Sequence, residues 1–152
     1  MTAYDEQQVI KYTITRLLAS REQSLHELSI KLKQRNFNEE LVQDWLQKFS
    51  SADLQSELRF AEMLARSRIN KGVGELSLKN ELKQHKIPHE MVERVLHELA
   101  PDWFELALHA LNKKISGGKI SSAKEQQKHY RFLLQRGFSS EQIHYAIQSL
   151  KE

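Results

Sequence analysis

Residues 78–96 read LKNELKQHKIPHEMVERVL, and their apolar spacing sets the pattern of the whole chain. The series is Leu78, Leu82, Ile87, Val92 and Leu96. It recurs about 50 residues earlier and again about 50 residues later. The earlier copy is Leu28, Leu32, Phe37, Val42 and Leu46, and the later copy is Leu133, Phe138, Ile143 and Ile147. A repeat of this length is typical of stacked helical units, which usually bind partners along a surface rather than enclose a catalytic pocket.

Each repeat is predicted to contain three short helices, because apolar residues follow i, i+3, i+4 and i+7 spacing. The predicted helices span 6–20, 25–35 and 39–49, then 53–69, 75–85 and 88–99, then 101–115, 122–136 and 140–150. The fold class is therefore all-α, an elongated array of three tandem three-helix repeats. The predicted repeat boundaries are 1–52, 53–100 and 101–152.

Polar residues at helix starts support these assignments. Capping boxes are predicted to begin at Ser24, Ser50 and Ser122, where a hydroxyl and a carboxylate three residues later satisfy backbone N–H groups. Asn38 and Ser139 are N-cap candidates before the last helix of repeats one and three, and Pro88 holds that position in repeat two. One apolar residue precedes each of these three caps and is expected to pack on the following helix: Phe37, Ile87 and Phe138.

Composition excludes several classes of protein. The 152 residues include no cysteine, so neither a disulfide nor a zinc–thiolate site can form. A hydrophobic content of 39% predicts several small cores in series. No apolar run approaches the roughly 18 residues of a membrane-spanning helix. The first residues lack the basic and apolar regions of a signal peptide. We therefore expect a cytoplasmic monomer with no membrane partner.

Charge is divided along the chain into blocks of opposite sign. The blocks carry −2 over residues 1–58, +4 over 59–86, −4 over 87–110, +6 over 111–136 and −1 over 137–152. A basic block on a rigid surface is an electrostatic footprint for phosphate or for an acidic protein. Because both basic blocks fall in related repeat positions, we interpret them as binding surfaces; the alternative is a solvated face.

Cations within the basic blocks lie at helical spacing. Repeat two has Lys79, Lys83 and Lys86 at i, i+4 and i+7, and repeat three has Lys124, Lys128 and Arg131. Lys79 aligns with Tyr130, so the sequence leaves open whether the two stripes join. Cations at helix ends also suit the helix dipole, which gives some of them a structural explanation. The candidate binding residues are Arg59, Arg66, Arg68, Lys71, Lys79, Lys83, Lys113, Lys114, Lys119, Lys124, Lys128 and Arg131.

Catalytic and cofactor motifs are not recognisable. His85 and His89 have the i, i+4 spacing of metal ligands, but Pro88 between them is expected to begin a new helix. The glycine-bearing loops 71–74 and 116–120 lack the full spacing of a dinucleotide fingerprint or a P-loop. We therefore predict no catalytic residue, metal or cofactor, and expect that the chain is not an enzyme.

Three sets of residues, one in each repeat, form a recognisable pattern along the chain. The first set is Leu18, Arg21, Ser24, Glu27, Leu28 and Leu32. The second is Phe60-Ala61, Arg66-Ser67-Arg68, Lys71-Gly72-Val73-Gly74 and Glu81-Leu82. The third is Asp102-Trp103, Leu106-Ala107, Lys128, Arg131-Phe132-Leu133-Leu134 and Arg136-Gly137-Phe138. In this order and spacing the three sets resemble the RecX family, bacterial regulators of the RecA recombinase.

The chain also departs from the family pattern. Glu75 replaces a frequent proline, and Ser77 replaces a frequent arginine, which removes one expected cation. Asn36 and Lys86 stand where the family usually has glycine before the apolar staple, whereas Gly137 keeps it. The two missing glycines predict helix ends that close differently from the family's.

The resemblance implies a nonenzymatic modulator, mainly an inhibitor, of RecA. Such a protein would bind the RecA–DNA filament, in its groove, and restrain ATPase, strand exchange and coprotease functions. DNA, single- or double-stranded, would be contacted directly or through the filament. The alternative from the residues is a general nucleic-acid-binding helical module acting through phosphate contacts. An adaptor that uses the acidic block 87–110 is a third class.

Overall fold

The structure is a computed structural model that describes residues 2–151. Over that range the chain forms nine α-helices and no β-strand. They are α1 (Ala3–Ser20), α2 (Leu25–Lys33), α3 (Glu39–Ser51), α4 (Glu57–Asn70), α5 (Glu75–Gln84), α6 (His89–Leu99), α7 (Trp103–Lys114), α8 (Ala123–Arg136) and α9 (Ser140–Leu150). An isolated parallel β-bridge links Ile120 to Lys151. The all-α prediction, with three helices in each of three tandem units, is confirmed.

The largest error in the predicted helices lies at the start of α4. Ser50 and Ser51 belong to α3, and Asp53 has a left-handed φ of 59° in the turn that follows. The capping box predicted from Ser50 is therefore wrong. The hydroxyl of Ser56 caps α4 instead, accepting the Arg59 N–H at 3.1 Å. The helix runs on through Ser51 because Phe49 is part of the buried face of α3, and the turn comes only after that face ends.

The other predicted hydroxyl and amide caps are confirmed. Ser24, Asn38, Ser122 and Ser139 each accept the backbone N–H three residues later. Pro88 also holds the N-cap position of α6. The reciprocal half of two predicted boxes is replaced by other contacts: the Glu27 carboxylate pairs with Arg21, and a Glu125 carboxylate oxygen accepts the Ser121 N–H.

Three helix ends close in the same way despite different residues. Asn36, Lys86 and Gly137 all have left-handed backbones, with φ of 61°, 60° and 98°. The prediction that the ends without glycine would close differently is wrong. The left-handed conformation costs a non-glycine residue roughly 1–2 kcal/mol. Each of these residues directly precedes an apolar residue that packs into the core, and that burial offsets the strain: Phe37, Ile87 and Phe138.

Each set of three helices has its own hydrophobic core. Val42 and Leu46 of α3 pack on Ile10 and Ile14 of α1 in the first core. Phe60 and Leu64 of α4 lie in the second, and Leu133 of α8 lies in the third. Trp103 packs against both the second and the third core. Several small cores in series therefore replace one large core.

The middle helices of successive repeats meet end to end. The N–H groups of Gly74 and Leu76, at the start of α5, donate to the carbonyls of Arg136 and Gly137 at the end of α8, at 2.7 and 3.0 Å. In the same way, Ser24 at the start of α2 hydrogen bonds His85 at the end of α5 at 2.7 Å. At both junctions the partially positive N-terminus of one helix therefore faces the partially negative C-terminus of another.

Candidate anion-binding groove

A basic groove runs along α8 and the end of α7. It consists of two adjoining cavities, of about 720 and 240 Å³, that share Lys114 and Phe132. The larger cavity follows one face of α8, and the smaller one reaches the turn after α4. Seven cations line the two cavities: Lys71, Lys113, Lys114, Lys124, Lys128, Arg131 and Arg136. The lining includes one carboxylate, that of Glu125.

Helical spacing places the α8 cations on the groove. Lys124, Lys128 and Arg131 are separated by four and three residues, which puts them on one side of the helix. Lys114 joins them from the last turn of α7. Within the described residues 2–151, none of the seven groove cations lies in an ion pair. Their charges are therefore available to an external anion.

Phe132 separates the two cavities and is flanked by cations. The Lys114 ammonium lies 5.2 Å from the centre of its ring, and the Arg136 guanidinium lies 5.4 Å from it. Cation–π attraction of this kind holds the two charges beside the ring. Arg136 also donates to the Lys71 carbonyl at 3.2 Å. The repeat-two end of the groove is thus tied to α8.

His129 forms part of the wall of the larger cavity and has no hydrogen bond that would explain its burial. Its side chain is 7% exposed, and Nδ1 is enclosed without a partner within the described chain. Burial lowers the His129 pKa, as do the charges of Lys128 and Lys114, while Glu125 opposes them. The ring is therefore favoured in its neutral form, with a hydrogen-bonding nitrogen beside the groove.

Repeat two uses most of its predicted binding cations in internal ion pairs. Arg68 makes two hydrogen bonds to Glu81, at 2.8 and 2.7 Å. This pairing lowers the Glu81 pKa, against the effect of burial. Lys79 lies 3.3 Å from Glu93.

Two further arginines of this repeat are also engaged. Arg59 bridges Glu22 and Asp53, and Arg66 lies 3.6 Å from Glu62. The positive charge of this face is therefore largely balanced within the molecule.

The twelve predicted binding residues thus divide into three groups. The groove brings together six: Lys71, Lys113, Lys114, Lys124, Lys128 and Arg131. Internal ion pairs occupy four: Arg59, Arg66, Arg68 and Lys79. Lys83 lines a separate cavity of about 460 Å³ with Lys79, and Lys119 lies in the exposed loop before α8. The predicted stripe through Lys86 is interrupted, because α5 ends at Gln84.

Sequence reasoning missed three side chains of the groove. Arg136, His129 and Phe132 all line it. For His129 the repeat offered a signal, because this histidine occupies the position of Leu28 and Leu78 in the first two copies. A polar residue at a core position of a repeat is the kind of local conflict that marks functional sites.

Between residues 2 and 151 no cluster of three or more histidine, aspartate or glutamate side chains could hold a metal ion. No helix within these bounds has the length and apolar character needed to cross a bilayer.

The fold and the groove define a tandem-repeat helical protein with a surface lined by cations, and comparisons with known proteins identify the family. Models of the second and third three-helix domains of RecX match residues 56–96 and 101–147. Regulatory protein RecX of Legionella pneumophila (strain Corby) is 39% identical over 136 residues, which cover 90% of this chain and 91% of that protein. Regulatory protein RecX of Vibrio parahaemolyticus is 34% identical over 137 residues, which cover 90% of this chain and 88% of that protein.

The chain belongs to the RecX family of regulatory proteins. A crystal structure of RecX from Lactobacillus salivarius has the same fold, with a TM-score of 0.74 at 23% identity and 97% of each chain covered. The resemblance read from the three repeats is confirmed.

Proposed function

We propose that this protein regulates the RecA recombinase by binding the RecA–DNA filament through the groove of repeat three, where it restrains ATP hydrolysis and strand exchange. Family membership supports RecA as the partner. The observation that carries the surface assignment is the contrast in charge pairing: the groove holds seven cations outside any ion pair in residues 2–151, whereas four of the predicted cations of repeat two are paired internally. The proposed site of action is the cytoplasm.

The proposed mechanism is steric and electrostatic. A rigid row of cations binds the polyanionic surface of the filament, and each contact releases condensed counterions if the surface is DNA. The middle helices meet end to end, so a load on repeat three is passed to repeat two through the backbone hydrogen bonds of Gly74 and Leu76. A protein held in the filament groove in this way would resist the subunit motion that accompanies ATP hydrolysis.

The test is the DNA-dependent ATPase rate of RecA during titration with this protein. In the variant with Lys124, Lys128 and Arg131 changed to Glu, we expect the half-inhibitory concentration to rise by roughly tenfold or more. The matched control changes Arg16, Lys33 and Arg35 of repeat one to Glu, which alters the net charge equally, from +3 to −3. Inhibition should survive in the control. Equal inhibition by both variants would remove the groove from the proposal.

The free cations also favour a second candidate function, that of a RecA-independent nucleic-acid-binding module. Such a module would bind DNA without RecA, with an affinity that falls steeply as salt rises. Strong RecA-free binding at physiological salt, combined with no effect on RecA ATPase, would select this function over filament regulation. The same two charge variants, measured in both assays, therefore separate the two candidates.

A further inference from the structure

We infer that His129 completes a phosphate subsite in the basic groove, in which the ring donates a hydrogen bond from Nε2 to a backbone phosphate of nucleic acid while Lys114 and Lys128 balance its charge. This inference rests on the proposed function, because it assigns a ligand chemistry to the same groove.

His129 is costly to the fold. The ring is more than nine-tenths buried, and Nδ1 lies enclosed with no hydrogen bond. An unsatisfied buried polar group destabilises the native state, so its presence calls for an explanation. Leucine fills the corresponding position in the other two repeats, at Leu28 and Leu78, and both are fully buried there. The packing of the repeat therefore does not require a histidine.

The position of the ring points to a ligand in the groove. His129 lines the larger cavity together with Lys114, Lys124 and Lys128. Since Nδ1 is enclosed, Nε2 is the ring nitrogen that remains for a ligand. A neutral imidazole carries one N–H, and placing it on Nε2 leaves the enclosed Nδ1 as an unpaired acceptor and turns the donor toward the groove. The groove then presents the N–H donor of a buried ring beside the exposed ammonium groups of Lys114, Lys124 and Lys128.

The row of cations in the groove matches the chemistry of a phosphodiester chain. Successive phosphates of a nucleic acid form a linear polyanion, and the groove presents a row of cations along α8 and onward to Lys71. Glu125 is the opposing charge in the lining, and its carboxylate accepts the Ser121 N–H. A carboxylate of a protein partner would meet the same row at single points only, so we favour a phosphodiester over an acidic protein surface.

A purely structural role does not account for His129. A structural histidine normally has its ring nitrogens satisfied by the fold. His85 is an example, since its Nδ1 hydrogen bonds Ser24 at 2.7 Å and its ring packs on Phe60. His129 makes no hydrogen bond within the described residues, so the fold itself does not account for a polar ring at this position.

The experiment measures binding of a fluorescein-labelled oligo(dT) by anisotropy, without RecA and at constant ionic strength near neutral pH. We expect His129→Leu to weaken binding about tenfold, as for the loss of one hydrogen bond to a charged group. His129→Gln, which keeps an N–H donor, should recover part of that loss. Urea unfolding should show the Leu variant to be as stable as the parent or more stable, because leucine fits this position in the other repeats.

Two further arms identify the source of the phosphate chemistry. An oligo(dT) with uncharged methylphosphonate linkages should lose the difference between parent and His129→Leu. Inorganic phosphate should shift the His129 ring signals in NMR spectra, at higher concentration than the oligonucleotide requires. Shifts produced by RecA without DNA, and by neither phosphate nor oligonucleotide, would overturn the inference in favour of an acidic protein surface.

Failure of the subsite and failure of the groove give different results. A folded His129→Leu variant that binds oligo(dT) as tightly as the parent refutes the subsite. If the reversal of Lys124, Lys128 and Arg131 still weakens ATPase inhibition in that case, the proposed function stands without the subsite. If neither the reversal nor His129→Leu changes binding or inhibition, the groove itself is refuted.

Discussion

Repeats two and three carry the same number of cations in their basic blocks, yet they present them differently. Residues 59–86 and 111–136 each contain seven lysines and arginines, with three and one acidic residues respectively. In repeat two all three acidic residues of the block lie in ion pairs with its cations: Glu62 with Arg66, Glu75 with Lys79 and Glu81 with Arg68. In repeat three, six of the seven cations line a groove whose lining includes a single carboxylate. The pairing of charges, more than their number, therefore decides which surface is available to a partner.

The largest expected effect comes from the junction that joins the two repeats. A Cβ at Gly74 would lie 2.4 Å from the Gly137 backbone carbon, so Gly74→Ala forces α5 away from α8. We expect the free energy of unfolding to fall by about 3 kcal/mol, measured by urea denaturation.

The control for this variant is Gly117→Ala. Gly117 has a left-handed φ of 77°, but a Cβ added there would meet no atom within 4 Å, so the variant isolates the backbone cost. That cost is about 1 kcal/mol. If the free energy of unfolding fell by the same amount in both variants, the junction between α5 and α8 would not be tightly packed. The junction would then not be what holds Lys71 at the end of the groove.

A smaller effect separates structural from available cations. Arg68→Ala removes the two-pronged pair with Glu81, and should lower the free energy of unfolding by about 1 kcal/mol without weakening oligo(dT) binding. Lys128→Ala should weaken oligo(dT) binding and leave the free energy of unfolding unchanged, because Lys128 lies in the groove and outside any ion pair of the described chain. Thermal denaturation and anisotropy on both variants provide the check. Equal changes in stability and in oligo(dT) binding for the two variants would contradict the distinction between paired cations in repeat two and available cations in repeat three.

The smallest expected effect is a pH dependence of stability. The His129 pKa is lowered by burial and by Lys128 and Lys114, so the unfolded chain binds a proton at this residue more readily than the folded chain. Stability is therefore unaffected well above the unfolded histidine pKa of about 6.5 and decreases as the pH falls through it. His129→Leu should remove this part of the decrease in urea denaturation series, while His109→Gln should retain it. A decrease of equal size in the Leu variant would contradict the assignment.

The fold could be predicted largely from local sequence signals. Apolar spacing and N-cap residues placed most helices within a few residues, because caps and periodicity act over a single turn or two. The start of α4 was placed wrongly because Ser50 to Asp53 matches a capping box as well as Ser56 matches a cap. Only the packing of Phe49 in the first core shows which is used.

The candidate groove was only partly predictable. The α8 stripe of Lys124, Lys128 and Arg131 follows from spacing within one helix. Lys71 and Lys114 join it from other elements, and no local rule relates them to α8. The pairing of Arg68 with Glu81 spans two helices, so a count of charges could not reveal it.

The sequence by itself determined that this is an all-helical, three-repeat protein of the RecX family with basic blocks in repeats two and three. These properties depend on residue identity, spacing and composition, which are local or additive along the chain. The tertiary structure decided which cations remain available, that Phe132 and Arg136 lie beside Lys114, and that His129 is buried at the wall of the groove. Those properties depend on distances between side chains remote in sequence, and only the packing of the helices fixes such distances.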